Sequence, residues 1–312
     1  MGVSRSMPPE MSGAARECGA TVVVPTLNRG AYLADAIRDL LAQTHRPLEI
    51  LVVDQSHDCP DAVRALVDAH PDLVTYRRVS FRGLLPARNY GWQHARHEAI
   101  VYIDDDIRCE PGFVATHVAT LLEPGVGAVA GGIDEQVRIT PGLLRRTRGF
   151  RRWTGSPVGS YSDRDSFDVD AVKGCNFSAW RRALASVGGF DERLNVGAAL
   201  YEDLELCLRL RGAGYRIRFN GEARLNHLAA PSGGCRVPNP RKYVESLAHN
   251  RGLVIARHLR WTERPGALAR LGWLLGAYGR ANRDLGVFAA GLRGFAQGVA
   301  EGRLDPICEA RS

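Results

Sequence analysis

Lysine is almost absent from this sequence, whose two lysines among 41 basic residues are Lys173 and Lys242. All the other basic residues are arginines, and against 34 acidic residues they leave a formal net charge of +7. A basic surface favours anionic partners such as nucleotides, acidic lipids or nucleic acid. No basic motif with interleaved aromatic residues is visible, so nucleic acid is not expected as a partner.

Long apolar runs are also missing, since no stretch reaches the roughly 20 residues that a membrane-spanning helix needs. Residues 1–18 lack the apolar core of a signal peptide and are predicted to form a disordered lead-in. The seven cysteines are scattered and odd in number, and no two have the spacing of a zinc site. These absences predict a cytoplasmic protein with reduced, mostly buried thiols.

Short β-branched runs alternate with amphipathic segments over the first 132 residues. The predicted strands are Ala20–Val24, Leu48–Val53, Leu73–Val79, Ala99–Ile103 and Val126–Ala130. The segments between them have apolar residues at helical spacing, as in Leu33, Ile37 and Leu40. This alternation predicts an α/β fold with a mostly parallel central sheet and helices on both faces. The absence of a Gly-x-Gly-x-x-Gly motif argues against a dinucleotide-binding site.

Three consecutive aspartates, Asp104, Asp105 and Asp106, directly follow the fourth predicted strand. Ligands of open α/β sheets bind at this carboxyl edge of the strands. Adjacent carboxylates repel one another, and burying them without a partner would cost free energy or force one to take up a proton. A Mg²⁺ or Mn²⁺ ion shared with a diphosphate would relieve the repulsion. An acidic turn open to water is the alternative.

A series of short motifs follows in order along residues 20–228. They are Val22-Val-Val-Pro-Thr-Leu-Asn-Arg, Leu51-Val-Val-Asp-Gln-Ser, Pro86-Ala-Arg-Asn, the three aspartates, Gly174-Cys-Asn-Phe-Ser, Gly188-Gly-Phe-Asp-Glu and Glu202-Asp. In this order and spacing they resemble the family-2 glycosyltransferases, which have the GT-A fold. The resemblance implies inverting transfer of a sugar from a UDP-, GDP- or dTDP-linked donor to an acceptor hydroxyl, with Mg²⁺ or Mn²⁺ as cofactor.

The resemblance also implies a set of donor-binding residues, each of which has a structural alternative. The set is Pro25, Thr26, Asn28, Asp54, Arg88, Asp104 and Asp105. Thr26 and Asn28 are equally suited to capping the following helix. Asp54 is suited to an Asx turn, and Arg88 to a surface ion pair. Gln55 stands where the family usually has a second acid, which leaves the nucleotide open.

Further roles follow from the resemblance. The metal ligands are Asp106, Asp104 and, late in the chain, His227, which is otherwise a packed or surface histidine. The sugar and acceptor pocket is formed by Gly174, Cys175 and Asn176, which would otherwise form a tight turn. The catalytic base is Asp203, supported by Glu202, although both acids would also stabilise a helix N-terminus.

The implied organisation is a nucleotide-sugar-binding half over 19–132, an acceptor-binding and catalytic half of the same domain over 133–230, and a basic helical C-terminal extension over 231–312. An arginine cluster, Arg138–Arg152, begins a segment that is a candidate lid. In the extension, Leu268–Tyr278 and Leu285–Phe295 have apolar faces with arginines at their margins. They predict either docking on the anionic inner face of a membrane or a cap that packs on the catalytic domain or a homodimer partner. Several glycines there argue against long continuous helices.

Two other classes of function remain open. A sugar-1-phosphate nucleotidyltransferase can share this sheet and metal, but it normally needs a glycine-rich basic loop after the first strand. Pro25–Gly30 contains one glycine and one arginine, which argues against it. A non-catalytic nucleotide-sugar-binding protein would not need the intact Glu202-Asp203 pair.

Overall fold

The computed structural model describes residues 18–135, 149–158 and 161–306. The predicted lead-in, apart from Cys18, and most of the arginine cluster lie outside the described residues. The strands are β1 (Ala20–Thr26), β2 (Leu48–Asp54), β3 (Val74–Arg78), β4 (Ala99–Ile103), β5 (Ile107–Cys109), β6 (Val126–Glu135), β7 (Gly149–Arg151), β8 (Ser156–Val158), β9 (Ser166–Val169), β10 (Asn176–Trp180) and β11 (Arg216–His227). The α-helices are α1 (Gly30–Leu41), α2 (Asp61–Ala69), α3 (Leu84–His94), α4 (Phe113–Leu121), α5 (Arg181–Ser186), α6 (Glu202–Gly212), α7 (Pro240–His258), α8 (Arg264–Asn282) and α9 (Leu285–Glu301).

The first half of the chain forms the parallel part of the central sheet. Strands β3, β2, β1 and β4 lie side by side in that order and run parallel. Every residue of β1 and β2 is buried, as expected for strands covered on both faces. Thr26 pairs with Asp54, and Val23 with Tyr102, so these strands end at the same edge. The α/β prediction is confirmed for this half.

The second half adds a mixed group of strands to the same sheet. β10 lies antiparallel between β4 and β6, whereas β11 runs parallel to β6. β5 and β9 both pair antiparallel with β11. β11 is one long strand, and its pairing register with β6 shifts between Asn220 and Leu225. Gly221 lies at this shift and packs against the backbone of residues 163–164, where a side chain would clash.

The C-terminal helices are continuous, contrary to the expectation drawn from their glycines. The side chain of Asn239 caps α7 by accepting the backbone N–H groups of Arg241 and Lys242. Helix α9 lies against α7 so closely that a Cβ at Gly298 would be 1.9 Å from the carbonyl oxygen of His249. Glycine is therefore needed for this helix contact, and the gain in packing offsets its low helix propensity.

Buried ion pairs join the extension to the helix that carries Glu202 and Asp203. Arg257 of α7 donates to Glu205 of α6 at 2.7 Å and to Asp191 at 2.8 Å. Glu205 is also bound by Arg209 at 2.8 Å and lies 3.1 Å from the His258 ring. Glu205 and Asp191 are buried, and α7 contributes to their neutralisation together with Arg209 and Arg193.

The outer faces of α8 and α9 remain exposed. Trp273 is 62% exposed and Leu285 is 88% exposed. None of the helices in the described part of the chain is long and apolar enough to cross a membrane.

Candidate active site

A deep cleft opens at the carboxyl edge of β1 and β4, and its volume is about 1330 Å³. Among the sequence-predicted residues, it is lined by Pro25, Thr26, Arg88, Asp104, Asp105, Asp106, Gly174, Cys175, Glu202, Asp203 and His227. The structure therefore brings the aspartates after β4 into the same cavity as the acids at the start of α6. These groups come from distant parts of the chain, and the sheet register places their elements side by side.

The aspartate cluster (Asp104, Asp105 and Asp106) is partly neutralised by an arginine. Arg29 donates to Asp105 Oδ1 at 3.0 Å and lies 3.3 Å from Asp106 Oδ2. Thr26 donates its hydroxyl to the other oxygen of Asp105 at 2.7 Å. Repulsion among the carboxylates is thus relieved within the protein for two of them. Asp104 points into the cleft with 30% of its side chain exposed.

The two buried aspartates have opposite pKa shifts. Burial raises the pKa of Asp105 to about 6, although Thr26 and Arg29 act against it. Burial also disfavours the charged form of Asp106, but the nearby His227 imidazole, the Ala230 backbone N–H and Arg29 outweigh it and lower its pKa to about 2. Asp106 is therefore a permanent anion at the base of the cleft.

The donor set around His227 fits a divalent cation. His227 Nε2 lies 3.5 Å from Asp106 Oδ1 and 3.9 Å from Asp104 Oδ2. Asp106 Oδ1 is buried and accepts no hydrogen bond from the described residues, which leaves a lone pair for a ligand. Carboxylate oxygens and an imidazole nitrogen are ligands that Mn²⁺ and related ions accept.

Arg88 is buried beside the cleft, between the aspartate cluster and the start of α6. The alternative prediction, that it forms an ion pair at the surface, was wrong. Its guanidinium donates to Glu202 Oε1 at 3.0 Å and to the Gly174 carbonyl at 2.8 Å, and it lies 3.7 Å from Asp104. The rings of Phe177 and Phe190 flank it at 5.8 and 5.5 Å. Arg88 thus links the aspartate cluster to the start of α6.

Asp203 is held by backbone groups at the start of α6. Its Oδ2 accepts the Gly174 N–H at 3.0 Å, and its Oδ1 accepts the Leu204 N–H at 2.6 Å. Enclosure within the protein raises the pKa of Asp203. Burial and the neighbouring Asp203 carboxylate raise the pKa of Glu202 to about 8. A carboxylate with a raised pKa beside an open cavity is suited to accept a proton.

Comparison with known proteins agrees with this geometry. The profile of Glycosyl transferase family 2 matches residues 21–184, more than half of the chain.

The chain belongs to glycosyl transferase family 2.

Two curated relatives illustrate its place in that family. The pre-mycofactocin glycosyltransferase of Mycobacterium tuberculosis is 29% identical over 214 residues, which cover 66% of this chain. The matched region spans 42% of the length of that relative. The glucosyl-dolichyl phosphate glucuronosyltransferase of Haloferax volcanii is 27% identical over 216 residues, covering 66% of this chain and 68% of the relative.

Solved structures of glycosyltransferases share the fold. The mannosyltransferase PcManGT of Pyrobaculum calidifontis, solved with GDP-Man and Mn²⁺, has a TM-score of 0.54 at 21% identity and covers 91% of this chain and 76% of its own. GalNAc-T7, solved with UDP, GalNAc and Mn²⁺, has a TM-score of 0.60 at 20% identity and covers 77% of this chain and 51% of its own. These neighbours are GT-A enzymes, so the predicted fold is confirmed.

Three predicted site residues of this family-2 chain do not line the cleft. Asn28 is exposed beyond the end of β1. Asp54 is buried, and it accepts the Ser56 N–H at 2.7 Å and the Tyr76 hydroxyl at 2.5 Å, which is the Asx-turn alternative. The third residue, Asn176, lies beneath the pocket. Neither Thr26 nor Asn28 caps α1, since its N-cap residue Arg29 has no side-chain capping bond.

Asn176 holds the sheet together and does not reach the pocket. Its amide donates to the carbonyls of Gly132 and Ala223 at 2.7 and 2.9 Å, and its oxygen lies 2.9 Å from the His117 ring. Side chains alternate along β10, so the position after Cys175 points away from the cleft. The prediction that Asn176 shapes the pocket surface was wrong.

The sequence-based prediction assigned no site role to several residues that line the cleft. They are Arg29, Gln55, Arg82, Tyr161, Lys173 and Arg236. Arg29 ends the first family motif, which is the one signal that could have identified it. Arg236 lies on the loop after β11, where nothing in the sequence relates it to β1.

Proposed function

We propose that this protein is an inverting glycosyltransferase that moves a sugar from a nucleotide diphosphate donor to an acceptor hydroxyl. One observation carries the proposal: the aspartate cluster and Asp203 face one cleft of about 1330 Å³. Family membership supports transfer chemistry, and the two structural neighbours were solved with GDP-Man and with UDP and GalNAc. The donor set of Asp104, Asp106 and His227 supports a divalent cation, Mg²⁺ or Mn²⁺.

The nucleotide lies, in this proposal, at the β1 end of the cleft. Pro25, Thr26 and Gln55 line this end, and Asp104 and Asp105 lie beyond them. Arg82 and Arg236 line the cleft without a carboxylate partner among the described ion pairs, so their charge is available to an anionic donor. Neither Asp54 nor Asn28 is included in this donor site.

Asp203 acts as the general base of the transfer. It removes the proton from the acceptor hydroxyl, whose oxygen attacks the anomeric carbon as the bond to the diphosphate breaks on the opposite face. The Gly174 and Leu204 N–H groups hold the carboxylate in position while it takes up the proton. When bound, a cation held by Asp104, Asp106 and His227 would neutralise negative charge on the leaving diphosphate.

A donor screen tests this function. With Mn²⁺ or Mg²⁺ present, one UDP-, GDP- or dTDP-linked sugar is expected to raise the melting temperature, because a ligand at 100 times its Kd stabilises the native state by about 2.7 kcal/mol. Asp106→Asn should abolish the metal-dependent part of the increase in melting temperature. The exposed control Asp134→Asn should retain it. Failure of every donor to bind would contradict the proposal. Release of pyrophosphate with a sugar 1-phosphate as co-substrate would indicate the nucleotidyltransferase alternative.

The extension is proposed to bind an anionic membrane surface. Trp261 and Trp273 are exposed, and Arg270 stacks on Trp273 at 4.1 Å. Helical spacing places Trp273 and Arg280 on one face of α8, and Arg280 lines an apolar groove with Leu285 of α9. Exposed aromatic residues bordered by arginine are typical of helices that lie on anionic lipid. The acceptor is then an amphiphile at that surface.

Vesicle sedimentation tests the membrane proposal. The protein is expected to sediment with phosphatidylglycerol vesicles, to do so less as salt is added, and to stay in solution with phosphatidylcholine. Trp261→Ser with Trp273→Ser should reduce the bound fraction severalfold, while Leu122→Ser, an exposed apolar residue outside the extension, should not. Equal sedimentation of the double variant, or a dimer that buries these tryptophans, would contradict it.

A further inference from the structure

A thiol lies among the groups that fit the cation. Cys175 is buried immediately before β10 and lines the cleft. Its sulfur, a carboxylate oxygen of Asp104 and a ring nitrogen of His227 all lie within 4.8 Å of one another. Over residues 18–135, 149–158 and 161–306, this is the one trio of potential ligands so close together. The sequence prediction placed Cys175 in the sugar and acceptor pocket and did not include it among the metal ligands.

We propose that Cys175 is a sulfur ligand of the cation site, so that the site binds thiophilic divalent metals such as Zn²⁺, Co²⁺ and Cd²⁺. The inference rests on the proposed function insofar as the same groups would hold the catalytic cation. It adds a donor of different chemistry, which decides which metals the site prefers. Cys175 therefore belongs to the metal site as well as to the pocket floor.

The geometry allows a site with three protein donors and an open fourth position after small side-chain movements. Metal–ligand distances of about 2.0–2.3 Å imply donor–donor separations of about 3.3–3.8 Å in a tetrahedral site. His227 Nε2 already lies 3.5 Å from Asp106 Oδ1 and 3.9 Å from Asp104 Oδ2. The sulfur needs to approach by about 1 Å, which a side-chain adjustment can supply. Asp106 Oδ1 lies beside His227 but outside this trio, and its carboxylate adds negative charge next to the cation.

The chemistry of the donors makes the prediction specific. Mg²⁺ and Mn²⁺ prefer oxygen ligands and gain little from sulfur, whereas thiolates select softer ions. Zn²⁺ and Co²⁺ also bind mixed nitrogen, oxygen and sulfur sites more tightly than Mn²⁺ does. Binding releases the thiol proton to solvent, since the thiolate is the metal ligand. When thiophilic ions are added to the metal-free protein, they are therefore expected to bind even without a nucleotide.

Cys235 provides the matched control. It lines the same cleft on the loop after β11, but it is not one of the three clustered ligands. If proximity to the cleft alone were enough, Cys175 and Cys235 would behave alike. If the trio defines the site, removing Cys235 should leave metal binding almost unchanged.

Titration of the reduced full-length protein with Co²⁺, without nucleotide, tests the proposal. We expect a sulfur-to-cobalt charge-transfer band that Cys175→Ser abolishes and Cys235→Ser retains. Cd²⁺ affinity should fall about tenfold or more in Cys175→Ser, because serine offers no soft donor. An unchanged melting temperature of Cys175→Ser without metal would show that the variant is folded.

Three results would overturn the proposal: a band that persists in Cys175→Ser, a band lost in Cys235→Ser, or Co²⁺ bound without any sulfur band. Absence of Co²⁺ binding would overturn it as well. Its failure is distinguishable from failure of the proposed function, because the nucleotide-sugar screen with Mn²⁺ does not depend on a sulfur ligand. If the protein shows the sulfur-to-cobalt band but binds no nucleotide sugar, the sulfur-ligand proposal is supported and the proposed transferase function is contradicted.

Discussion

Asp203→Asn is expected to lower kcat for sugar transfer by ~10²–10⁴-fold, the usual contribution of a general base. The amide has nearly the same size as the carboxylate but cannot take a proton from the acceptor hydroxyl. In the proposed arrangement the nucleotide binds at the β1 end of the cleft, away from Asp203, so the Kd of the donor should change little. Steady-state kinetics with the donor identified by the screen, together with donor titration, measure the two effects separately.

The variant also has a structural cost that must be measured. Both carboxylate oxygens of Asp203 accept backbone N–H groups, from Gly174 and Leu204. Asparagine has one acceptor oxygen, so one N–H loses its partner at a cost of about 1–3 kcal/mol. Asp134→Asn serves as the exposed control. Near-normal transfer by a folded Asp203→Asn enzyme would show that another group is the base.

Arg88→Met is expected to lower the free energy of unfolding by about 2–6 kcal/mol, because two buried acceptors lose their donor at a cost of about 1–3 kcal/mol each. Methionine fills much of the volume but leaves Glu202 and the Gly174 carbonyl without their donor. The same change removes the link between Gly174 and the aspartate cluster, so transfer should fall even where the protein remains folded. Urea denaturation measures the stability, and the melting temperature checks it independently.

Glu202→Gln changes the other member of the Arg88–Glu202 pair. It should lower the free energy of unfolding far less than Arg88→Met does, since the glutamine amide oxygen can still accept a hydrogen bond from Arg88. Its effect should depend on pH. Folded Glu202 holds a proton up to about pH 8, whereas the unfolded carboxyl releases it near 4.5, so wild-type stability falls as pH rises between these values. The glutamine variant lacks this contribution. Two results would contradict this account of Arg88 and Glu202. One is that the stability of the wild type and of Glu202→Gln depends equally on pH, and the other is that Arg88→Met leaves the free energy of unfolding unchanged.

The local elements of the first half could be predicted because their signals are local. Leu48–Val53 is apolar except for Glu49, and the structure extends the predicted strand by one residue to Asp54 as β2. The helical spacing of Leu33, Ile37 and Leu40 predicted an amphipathic helix, and all three are buried in α1. The second half was harder, because β9 and β10 are short strands whose pairing with β11 and β4 joins residues far apart in the chain.

The sequence also predicted most of the residues that line the site, but it did not predict the residues with which they pair. The ordered motifs brought Asp104, Asp203 and His227 forward as candidates, and the cleft contains all three. The sequence could not show that Arg29 neutralises Asp105, that Asn176 faces away from the pocket, or that Arg88 is buried beside Glu202. Each of these depends on the direction of a side chain and on neighbours that are more than 40 positions away.

Hydrophobic periodicity and the motif order determined the α/β framework and the chemistry of the acids, since both are properties of neighbouring residues. The folded chain alone decided which charges are paired, which thiol lies beside His227, and how the glycine-containing helices α7 and α9 pack together. The reason is physical: burial and ion pairing depend on distances across the sheet and between helices, and those distances exist only after the strands have found their register.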